Sequence, residues 1–492
     1  MSHDAIPSGG RFRESQKHLD REALKHIRRQ RQRNKKIREQ VISNGPSYDI
    51  SEVLPPLEWA FDVERLKNIF DDMIQYKGQA AGPDRIRMPE LTQADRYSIC
   101  RMVNRLVLNG TYRPSEQRQV KIPKSNGGFR TLNIGNVADR MVATVISKIL
   151  TALVDKHFVS TSYAYRPNRG VYDLLARLSY AVAHEHKTFY FREDFQNAFD
   201  NVPIDLILEG LQVAGVDPSS VAVESAEQRE QIFGQWRALI ENVLRGAAGK
   251  SVGISQGCPL SPVAMNIFAH VNHDQVCKDI EPGVTAVRYS DDMFYLCASE
   301  SMLADFRQQI GAHISQLGLT FKGDRHSDNT NLRPLNIYDT PLETMGFVMS
   351  MPHDSNPRFD IPESGYLNLI ERLKETHGSS DPISSGSLLL TGWINSYGPA
   401  FSPCCKDVVK ERILSSLNEL KLNDSMSPER CLKLMQDSYS KWKQKQEEIF
   451  TTLRTPTVPQ SPQETTTRVT TLPIATSAPQ SLNFDDDDSC PF

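Results

Sequence analysis

The sequence predicts a mixed α/β fold that is followed by a largely helical C-terminal part. Between Leu57 and Ser350, apolar residues at helical spacing alternate with short runs rich in β-branched and aromatic residues. Between residues 360 and 450, the helical spacing predominates. With 492 residues, 39% of them hydrophobic, the chain is long enough for a large core and for two or three structural units.

Residues 1–56 predict a basic helical N-terminal extension. The segment 11–42 contains no Pro and no Gly, and twelve Lys or Arg residues lie between Arg11 and Arg38. Such a helix is polar nearly all round, so it either binds a partner or stays solvated. A solvated helix and an arm that binds RNA phosphates are both open at this point. The basic residues considered for RNA binding are Arg28, Arg29, Arg31, Arg33, Lys35 and Lys36.

The middle and the end of the chain divide into strands, helices and a polar tail. Strands are predicted at Arg118–Ile122, Thr188–Arg192, Thr285–Tyr289 and Met293–Cys297. Late helices are predicted at Tyr366–Thr376, Gly386–Tyr397, Lys406–Lys421 and Pro428–Phe450. Residues 452–492 are rich in Thr, Pro, Gln and Ser and end in an acidic run, which predicts disorder.

Acidic residues follow two of the predicted strands. Asp291 and Asp292 lie between two apolar runs, which predicts a hairpin with both carboxylates at its tip. An isolated Asp pair of this kind is more often only a turn. However, the strand Thr188–Arg192 leads into Asp194, and if the two elements are neighbours, the carboxylates meet at one sheet edge.

Neighbouring carboxylates repel one another unless cations join them, and hard oxygen ligands suit Mg²⁺, with Mn²⁺ as an alternative ion. Two such ions activate an attacking 3′-hydroxyl and stabilise the leaving pyrophosphate. Asp194, Asp291 and Asp292 are therefore predicted to be both metal ligands and catalytic residues in phosphoryl transfer.

A third segment combines glycines with a helix start. Gly253 and Gly257 lie in a loop that leads into a predicted helix at Val263–His273, and such a loop lets backbone approach a ligand closely. Gln256 can hydrogen-bond a nucleotide or a template strand. The loop can also simply begin the helix, since Pro262 suits the first helical turn, and both interpretations can hold at once.

In chain order, the segments around Asp194, Gln256 and Asp291 resemble motifs A, B and C of reverse transcriptases. Further landmarks are similar to those of group II intron and bacterial reverse transcriptases, and the resemblance runs from about residue 57 to about residue 450. These landmarks include Ala81–Asp84, Gly110–Pro114, Ile122–Leu132, Asp139–Arg140, Ser162–Gly170, Leu317–Leu319, Met345–Phe347 and Gly392–Tyr397.

The resemblance implies a right-hand polymerase with fingers and palm at residues 57–350 and an α-helical thumb at residues 351–451. It implies RNA-directed DNA synthesis, in which dNTPs are added to a 3′-hydroxyl. Lys124 and Arg130 would hold the triphosphate of the incoming nucleotide. Phe199 would act as the steric gate against ribonucleotides, and Gln256 would lie against the template and the nucleotide.

The chain departs from the family pattern in motif D, where a Lys is usual. Arg325 occupies that region, and Arg is effectively never deprotonated, so it is a poor general acid. Lys322 or His326 could take this part, or the proton could come from water.

The tail offers neither an HNH nuclease nor an RNase H, so a domesticated bacterial enzyme is expected. The resemblance is to the unknown-group and abortive-infection branch, which implies antiphage defence with a dedicated non-coding RNA template, a DNA product and a homo-oligomer. Two alternatives remain: untemplated or repetitive nucleotide addition with the RNA as scaffold, and a maturase-like RNA-binding protein that does not polymerise.

The cellular setting is predicted from what the composition lacks. No apolar run approaches the roughly 20 residues that span a bilayer, and the N-terminus has no signal-peptide pattern. The eight cysteines form no CxxC pair and no zinc spacing, so they are expected to be reduced thiols. A cytoplasmic protein without a membrane partner is expected.

Overall fold

The computed structural model describes residues 48–76, 80–123, 128–322, 333–352 and 356–455. Lys124, Arg325, His326 and the basic residues between Arg28 and Lys36 lie outside these ranges, as does the chain from residue 456 onward. Within the described ranges no helix is both long and apolar enough to cross a bilayer.

Helices carry most of the described chain. They are α1 (Leu57–Ala60), α2 (Val63–Tyr76), α3 (Gln93–Leu108), α4 (Val137–Val154), α5 (Val171–Ala183), α6 (Ala198–Asn201), α7 (Ile204–Val213), α8 (Ala226–Arg245), α9 (Ser261–Ala269), α10 (Gln275–Ile280), α11 (Glu300–Gln316), α12 (Glu363–Glu375), α13 (Pro382–Ser396), α14 (Lys406–Glu419) and α15 (Pro428–Arg454). A π-helical turn, His270–Asp274, joins α9 to α10, where the sequence predicts an uninterrupted helix.

In the described part of the chain, nine short strands form three antiparallel sheets. The strands are β1 (Arg118–Pro123), β2 (Phe129–Ile134), β3 (Phe189–Asp194), β4 (Thr285–Tyr289), β5 (Asp292–Cys297), β6 (Leu335–Asn336), β7 (Leu342–Thr344), β8 (Phe347–Ser350) and β9 (Arg358–Asp360). The described strands form a hairpin β1-β2, a central sheet in the order β4-β5-β3-β6 and a small sheet β7-β8-β9. The four predicted strands are confirmed within two residues at each end, and the mixed α/β class is confirmed with them.

The central sheet has a buried core on each of its two faces. Along β5, the side chains of Met293, Tyr295 and Cys297 enter one core, which the helices α1–α4 and α7–α11 also fill. Phe294 and Leu296 point the other way into a second core, shared with α5, the small sheet and the helices α12–α15. This alternation follows from the two-residue period of a strand. The sheet is therefore held from both sides, which fixes its edge in place.

The strands β7, β8 and β9 were not expected from the sequence. They are three or four residues long, and runs this short carry too few alternating residues to separate a strand from a loop. The predicted late helices are confirmed at α12–α15.

Candidate active site

The strands β4 and β5 form a tight hairpin that carries two carboxylates. Tyr289 pairs with Asp292, so the turn consists of Ser290 and Asp291 alone. Ser290 has a φ of 61°, and two-residue hairpin turns need such positive values. Asp291 thus projects from the turn, and Asp292 occupies the first position of β5. The hairpin predicted from the sequence is confirmed.

The third carboxylate arrives from the neighbouring strand. In the register of β3 and β5, Asp194 lies directly opposite Asp292. Side chains at paired positions of adjacent strands are near neighbours, with Cβ atoms about 5 Å apart. The structure therefore brings Asp194 to the same edge of the central sheet as Asp291 and Asp292, although these two residues lie almost a hundred positions later in the chain.

Asp194 is half-buried, and its two oxygens are in different situations. Oδ2 accepts a hydrogen bond from the ammonium of Lys322, whereas Oδ1 is buried and has no hydrogen-bond partner among the described residues. The pKa of Asp194 is raised to about 6, mainly by burial and also by the neighbouring Asp291 and Asp292, against the opposing effect of Lys322. The carboxylate group therefore lies where a cation would stabilise its charged form.

Asp292 is compensated from within its own sheet. Its Oδ1 accepts a hydrogen bond of 3.1 Å from Nη2 of Arg192, which lies on the same face of β3 as Asp194. Burial raises the pKa of Asp292, Arg192 lowers it, and Asp291 raises it again. Two of the three carboxylates, Asp194 and Asp292, thus each bond one flanking basic side chain.

The donor set fits divalent cations of the magnesium type. Three carboxylates supply hard oxygen ligands, and the buried, unpartnered Oδ1 of Asp194 is the kind of atom that an ion would satisfy. As the side chains stand, no three Asp, Glu, His or Cys side chains among the described residues converge on a single point. Instead, Lys322 and Arg192 bond to oxygens that metal ions would compete for.

A groove of about 530 Å³ runs along β3 beside these carboxylates. Its lining includes the cationic residues Arg192, Lys322 and Arg333 and the acidic residues Glu193 and Asp194, so positive charge is in slight excess. A groove of this charge suits a phosphate-bearing ligand.

Behind the hairpin, a buried arginine anchors the turn. Arg288 donates from Nη1 to the carbonyl oxygen of Ser290 at 3.0 Å and from Nε and Nη2 to the two carboxylate oxygens of Asp274 at 2.8 and 2.7 Å. It also bonds Asn266 Oδ1 at 2.9 Å and Ser162 Oγ at 2.8 Å. The π-helical turn at His270–Asp274 brings Asp274 to this arginine, and such turns often occur at functional sites.

On the other face of β3, a second buried ion pair connects the strand to a helix. Glu193 bonds Arg307 of α11, and the Arg307 guanidinium lies 4.4 Å above the ring centroid of Phe321. The strand that carries Asp194 is thereby fixed from the side opposite the carboxylates.

The loop that contains Gly253 and Gly257, called the glycine-rich loop below, lies between the segment after β3 and the hairpin β1-β2. The amide of Ile254 donates to the carbonyl oxygen of Phe199 at 2.7 Å. The amide of Asn133, in β2, donates to the carbonyl oxygen of Gln256, also at 2.7 Å. Gly257 has a φ of 102°, and a Cβ there would lie 2.8 Å from the Asn133 carbonyl oxygen. Only glycine allows this close approach.

The loop connects the backbone segments that carry Phe199, Gln256 and β2. The backbones of Phe199 and Gln256 are held by the same loop, and both side chains are half-buried. Arg130 is exposed on β2, where it pairs with Ile122. Lys124 lies outside the described residues, so its predicted part in binding triphosphate stays a prediction.

The contacts of Arg192 and Lys322 with the carboxylates are not predicted by the sequence analysis. Arg192 alternates with Asp194 along β3, and this i, i+2 spacing was the available signal. Lys322 was considered only as a proton donor, and its bond to Asp194 depends on the packing of the chain after α11. Arg288 is a buried residue with several hydrogen bonds. The sequence alone shows only that it lies just before the hairpin turn and does not indicate its partners.

Comparison with known proteins shows which family part of this chain is similar to. Residues 122–327 match the family model described as reverse transcriptase (RNA-dependent DNA polymerase). That span includes all three carboxylates, the glycine-rich loop and β2.

Three curated proteins are similar in sequence. The putative COX1/OXI3 intron 2 protein of Saccharomyces cerevisiae is 25% identical over 154 residues, which is 31% of this chain and 17% of that protein. The uncharacterized 91 kDa protein in cob intron of Schizosaccharomyces pombe is 28% identical over 157 residues, 31% of this chain and 18% of its own length. Protein YkfC of Escherichia coli is 26% identical over 167 residues, 33% and 41% of the two chains. Each alignment thus spans less than half of the relative.

Two solved structures have related shapes. A telomerase from Candida albicans in complex with the TWJ fragment of telomeric RNA has a TM-score of 0.36 at 11% identity, covering 75% of this chain and 72% of that chain. The Sicinivirus 3Dpol RNA dependent RNA polymerase has a TM-score of 0.46 at 9% identity, covering 78% and 85%.

The family match, the order of the motifs and the carboxylate-bearing sheet edge agree with one another. Residues 122–327 of this chain, within its mixed α/β fold, are therefore similar to the reverse transcriptase (RNA-dependent DNA polymerase) family.

Proposed function

We propose that the protein is an RNA-directed DNA polymerase that adds dNTPs to a 3′-hydroxyl. The observation that carries the proposal is the meeting of Asp194, Asp291 and Asp292 at one sheet edge, within a reverse transcriptase domain. No acid/base hydrolase needs this grouping of three like charges, whereas phosphoryl transfer uses it to hold cations.

Each element around the carboxylates has a part in this reaction. Asp194, Asp291 and Asp292 would hold two Mg²⁺ ions, which supply Lewis-acid stabilisation of the charge that develops on the phosphoryl oxygens. Arg130, together with Lys124, would bind the triphosphate. Phe199 would exclude a ribose 2′-hydroxyl by steric contact, and Gln256 would orient the nucleotide against the template.

Lys322 fits the part of proton donor for the departing pyrophosphate. It lies at Asp194, and an ammonium can release a proton, which a guanidinium cannot. Arg325 and His326, the other residues considered for this part, lie outside the described residues.

The test is extension of a DNA primer annealed to an RNA template by the purified full chain. Wild-type protein with Mg²⁺ and dNTPs should extend the primer, chelation with EDTA should stop extension, and Asp291→Ala/Asp292→Ala should abolish it. If the wild-type protein extends none of the primer–templates tested, the proposal is overturned. Activity that survives the double substitution would remove the carboxylates from the mechanism.

We further propose that a non-coding RNA is the template and that the basic arm helps to bind it. The supports are the motif resemblance and the basic residues Arg28, Arg29, Arg31, Arg33, Lys35 and Lys36. Replacing these six residues with Ala should reduce the slope of log affinity against log salt by about 0.7 to 0.9 for each lost phosphate contact. An unchanged slope would exclude the arm from RNA binding.

Sequencing of the nucleic acids that co-purify with the protein identifies template and product. A discrete RNA in wild-type and Asp291→Ala/Asp292→Ala samples, with complementary DNA in the wild type alone, supports templated synthesis. DNA unrelated to the RNA would favour untemplated or repetitive addition, with the RNA as scaffold.

A second candidate is an RNA-binding protein that acts without polymerising. It is favoured by the names of two relatives, which place them in introns of COX1/OXI3 and cob. If the double Asp→Ala variant retains the cellular function, this candidate is correct and the polymerase proposal is wrong.

The cellular role that we propose is antiphage defence in a bacterial cytoplasm. It rests on the resemblance to unknown-group and abortive-infection enzymes. Cells expressing the wild-type chain should reduce phage plating, and the double Asp→Ala variant should not. Equal plating on both strains would contradict the role but leave the polymerase proposal untouched.

A further inference from the structure

Tyr165 is an aromatic residue held in an unfavourable backbone conformation with its side chain in solvent. Its φ is 58°, in the left-handed region where a bulky residue is a true outlier. Its side chain is nevertheless 55% exposed, so the strained conformation is not offset by burial of the ring. Strain of this kind persists only where the surroundings impose it, and it clusters at functional sites.

Hydrogen bonds of the residues before and after Tyr165 impose this backbone conformation. The next residue, Arg166, is buried and donates to Asp155 Oδ1 at 2.7 Å and to the carbonyl oxygens of Val159, Ser162 and Asp155 at 2.6, 2.8 and 2.8 Å. On the other side, the carbonyl oxygen of Ala164 accepts a hydrogen bond of 2.8 Å from Asn266. The backbone at Tyr165 therefore has little freedom.

The same contacts couple this loop to the catalytic hairpin. Asn266, which bonds Ala164, also accepts a hydrogen bond from Arg288. Arg288 in turn donates to the carbonyl oxygen of Ser290, the residue before Asp291. A continuous buried hydrogen-bonded chain thus runs from the residue before Tyr165 to the residue before Asp291.

Backbone pairing strengthens the link at the outer edge of β4. The amide of Tyr163 donates to the carbonyl oxygen of Arg288 at 3.0 Å, and the amide of Arg288 donates to that of Thr161 at 2.9 Å. The segment that precedes Tyr165 is therefore paired with the strand that leads into the hairpin turn.

We infer that Tyr165 binds the end of the template–product duplex, with its ring packed against the nucleotides that adjoin the growing 3′-end. The inference rests on the proposed polymerase function. Asp291 must face the attacking 3′-hydroxyl, and the strand that bears this hydroxyl has to pass the residues next to the hairpin. A rigid, exposed ring costs little side-chain entropy when a base or sugar packs on it, and aromatic contacts of this kind tolerate any sequence.

The ring and the strain can be separated by substitution. Tyr165→Gly removes the ring and also relieves the left-handed strain, so its unfolding temperature should equal or exceed that of the wild type. Tyr165→Phe keeps the ring. Asn168→Gly is the matched control for backbone freedom, because Asn168 lies in the same loop with a φ of 56°.

The experiment measures the dissociation constant of a fluorescent RNA–DNA primer–template by anisotropy, using the full chain without dNTPs. Tyr165→Gly should weaken binding about tenfold or more, whereas Tyr165→Phe and Asn168→Gly should remain within about twofold of the wild type. Wild-type affinity in Tyr165→Gly would overturn the inference, as would equal weakening in Asn168→Gly.

Primer extension by the wild type, measured in parallel, separates the two proposals. If the wild type extends the primer and Tyr165→Gly binds normally, only the inference about Tyr165 fails. If the wild type binds without extension, the polymerase proposal fails, and the affinity of Tyr165→Gly still decides the inference. If the wild type binds no primer–template, both are overturned.

Discussion

At the residue scale, Arg288 joins parts of the chain that are far apart in sequence. It contacts Ser162, Asn266, Asp274 and Ser290, and it is almost completely buried. A buried guanidinium is costly unless all its donors have partners and a carboxylate neutralises it. Asp274 provides that carboxylate, so the position of the turn that carries Asp291 depends on this ion pair.

Asp274→Asn should lower the free energy of unfolding at neutral pH by about 3 to 5 kcal/mol, because it leaves the Arg288 charge uncompensated. Burial by itself raises the pKa of Asp274, but Arg288 and His273 outweigh it and hold the pKa below its usual value. A lowered carboxylate pKa stabilises the fold above the unfolded-state pKa of about 3.9, and this contribution is lost as the pH falls further.

Urea unfolding at neutral pH and at about pH 3 checks both statements. The difference between wild type and variant should shrink at the lower pH. The double variant Asp274→Asn/Arg288→Met is the control, and it should recover part of the loss because it removes the unpaired charge. A pH-independent difference would contradict the assignment of the stabilisation to the Asp274 carboxylate.

Phe199 allows a prediction about sugar selection. Phe199→Ala should admit ribonucleotides and reduce the preference for dNTPs by on the order of tenfold or more, because the ring that would contact a 2′-hydroxyl is gone. The measurement is the ratio of kcat/KM for a dNTP and the matching NTP. Phe199→Tyr keeps the ring and should keep the preference. Unchanged discrimination in the Ala variant would exclude Phe199 from the gate.

At the element scale, the glycine-rich loop determines how the hairpin β1-β2 meets the segment after β3. Its backbone bonds Phe199 on one side and Asn133 on the other. Gly253 and Gly257 both have positive φ values, and a Cβ at either would lie 2.8 Å from a carbonyl oxygen. The loop can therefore transmit the position of β2 to the residues around Asp194.

Gly257→Ala should separate β2 from the loop and lower the free energy of unfolding by about 1 to 3 kcal/mol, since its backbone is strained for any L side chain. Primer extension should fall because Arg130 and Gln256 lose their relative placement. The check is a thermal melt together with the KM for dNTP.

Gly234→Ala is the matched control for this substitution. Gly234 lies within α8, and a Cβ there has no described atom within 4 Å. The change should be neutral or should stabilise the protein by about 0.5 to 1 kcal/mol. Equal behaviour of the two alanine variants would show that the contact at Gly257 does not matter.

At the scale of the whole molecule, the central sheet lies between two cores, and α5 connects the second core to the C-terminal helices. The hydroxyl of Tyr172 donates to the carbonyl oxygen of Asn395 and accepts from the amide of Gly398, both at 3.0 Å. Its ring packs edge-on against Trp442. This residue therefore connects the end of α13 and the middle of α15 to α5.

Tyr172→Phe should lower the free energy of unfolding by about 1 to 3 kcal/mol, because the Gly398 amide loses its acceptor while the ring contact remains. Hydrogen exchange should accelerate at residues 395–398. Tyr180→Phe is the control, because the Tyr180 hydroxyl has no hydrogen bond to a described residue, and it should leave both quantities unchanged. Equal exchange in the two variants would contradict a fastening role for Tyr172.

The sequence by itself determined the local elements and the order of the motifs. The hairpin at Asp291 and Asp292 could be predicted because its two strands and its turn are contiguous, so local pattern and turn chemistry agree. The strand that ends at Asp194 and the late helices could be predicted for the same reason. The proposed contacts of Lys124 and of the basic arm remain predictions, since those residues lie outside the described ranges.

Only the tertiary structure decided which distant side chains meet. The bonds of Arg192 to Asp292, of Lys322 to Asp194 and of Arg288 to Asp274 depend on how strands and helices pack, and packing is a property of the whole core. The strained backbone and exposed ring of Tyr165 also depend on tertiary structure, because Asn266, about a hundred residues later in the chain, bonds the neighbouring Ala164. Local preferences set each element, but long-range contacts set the positions of the side chains around the carboxylates.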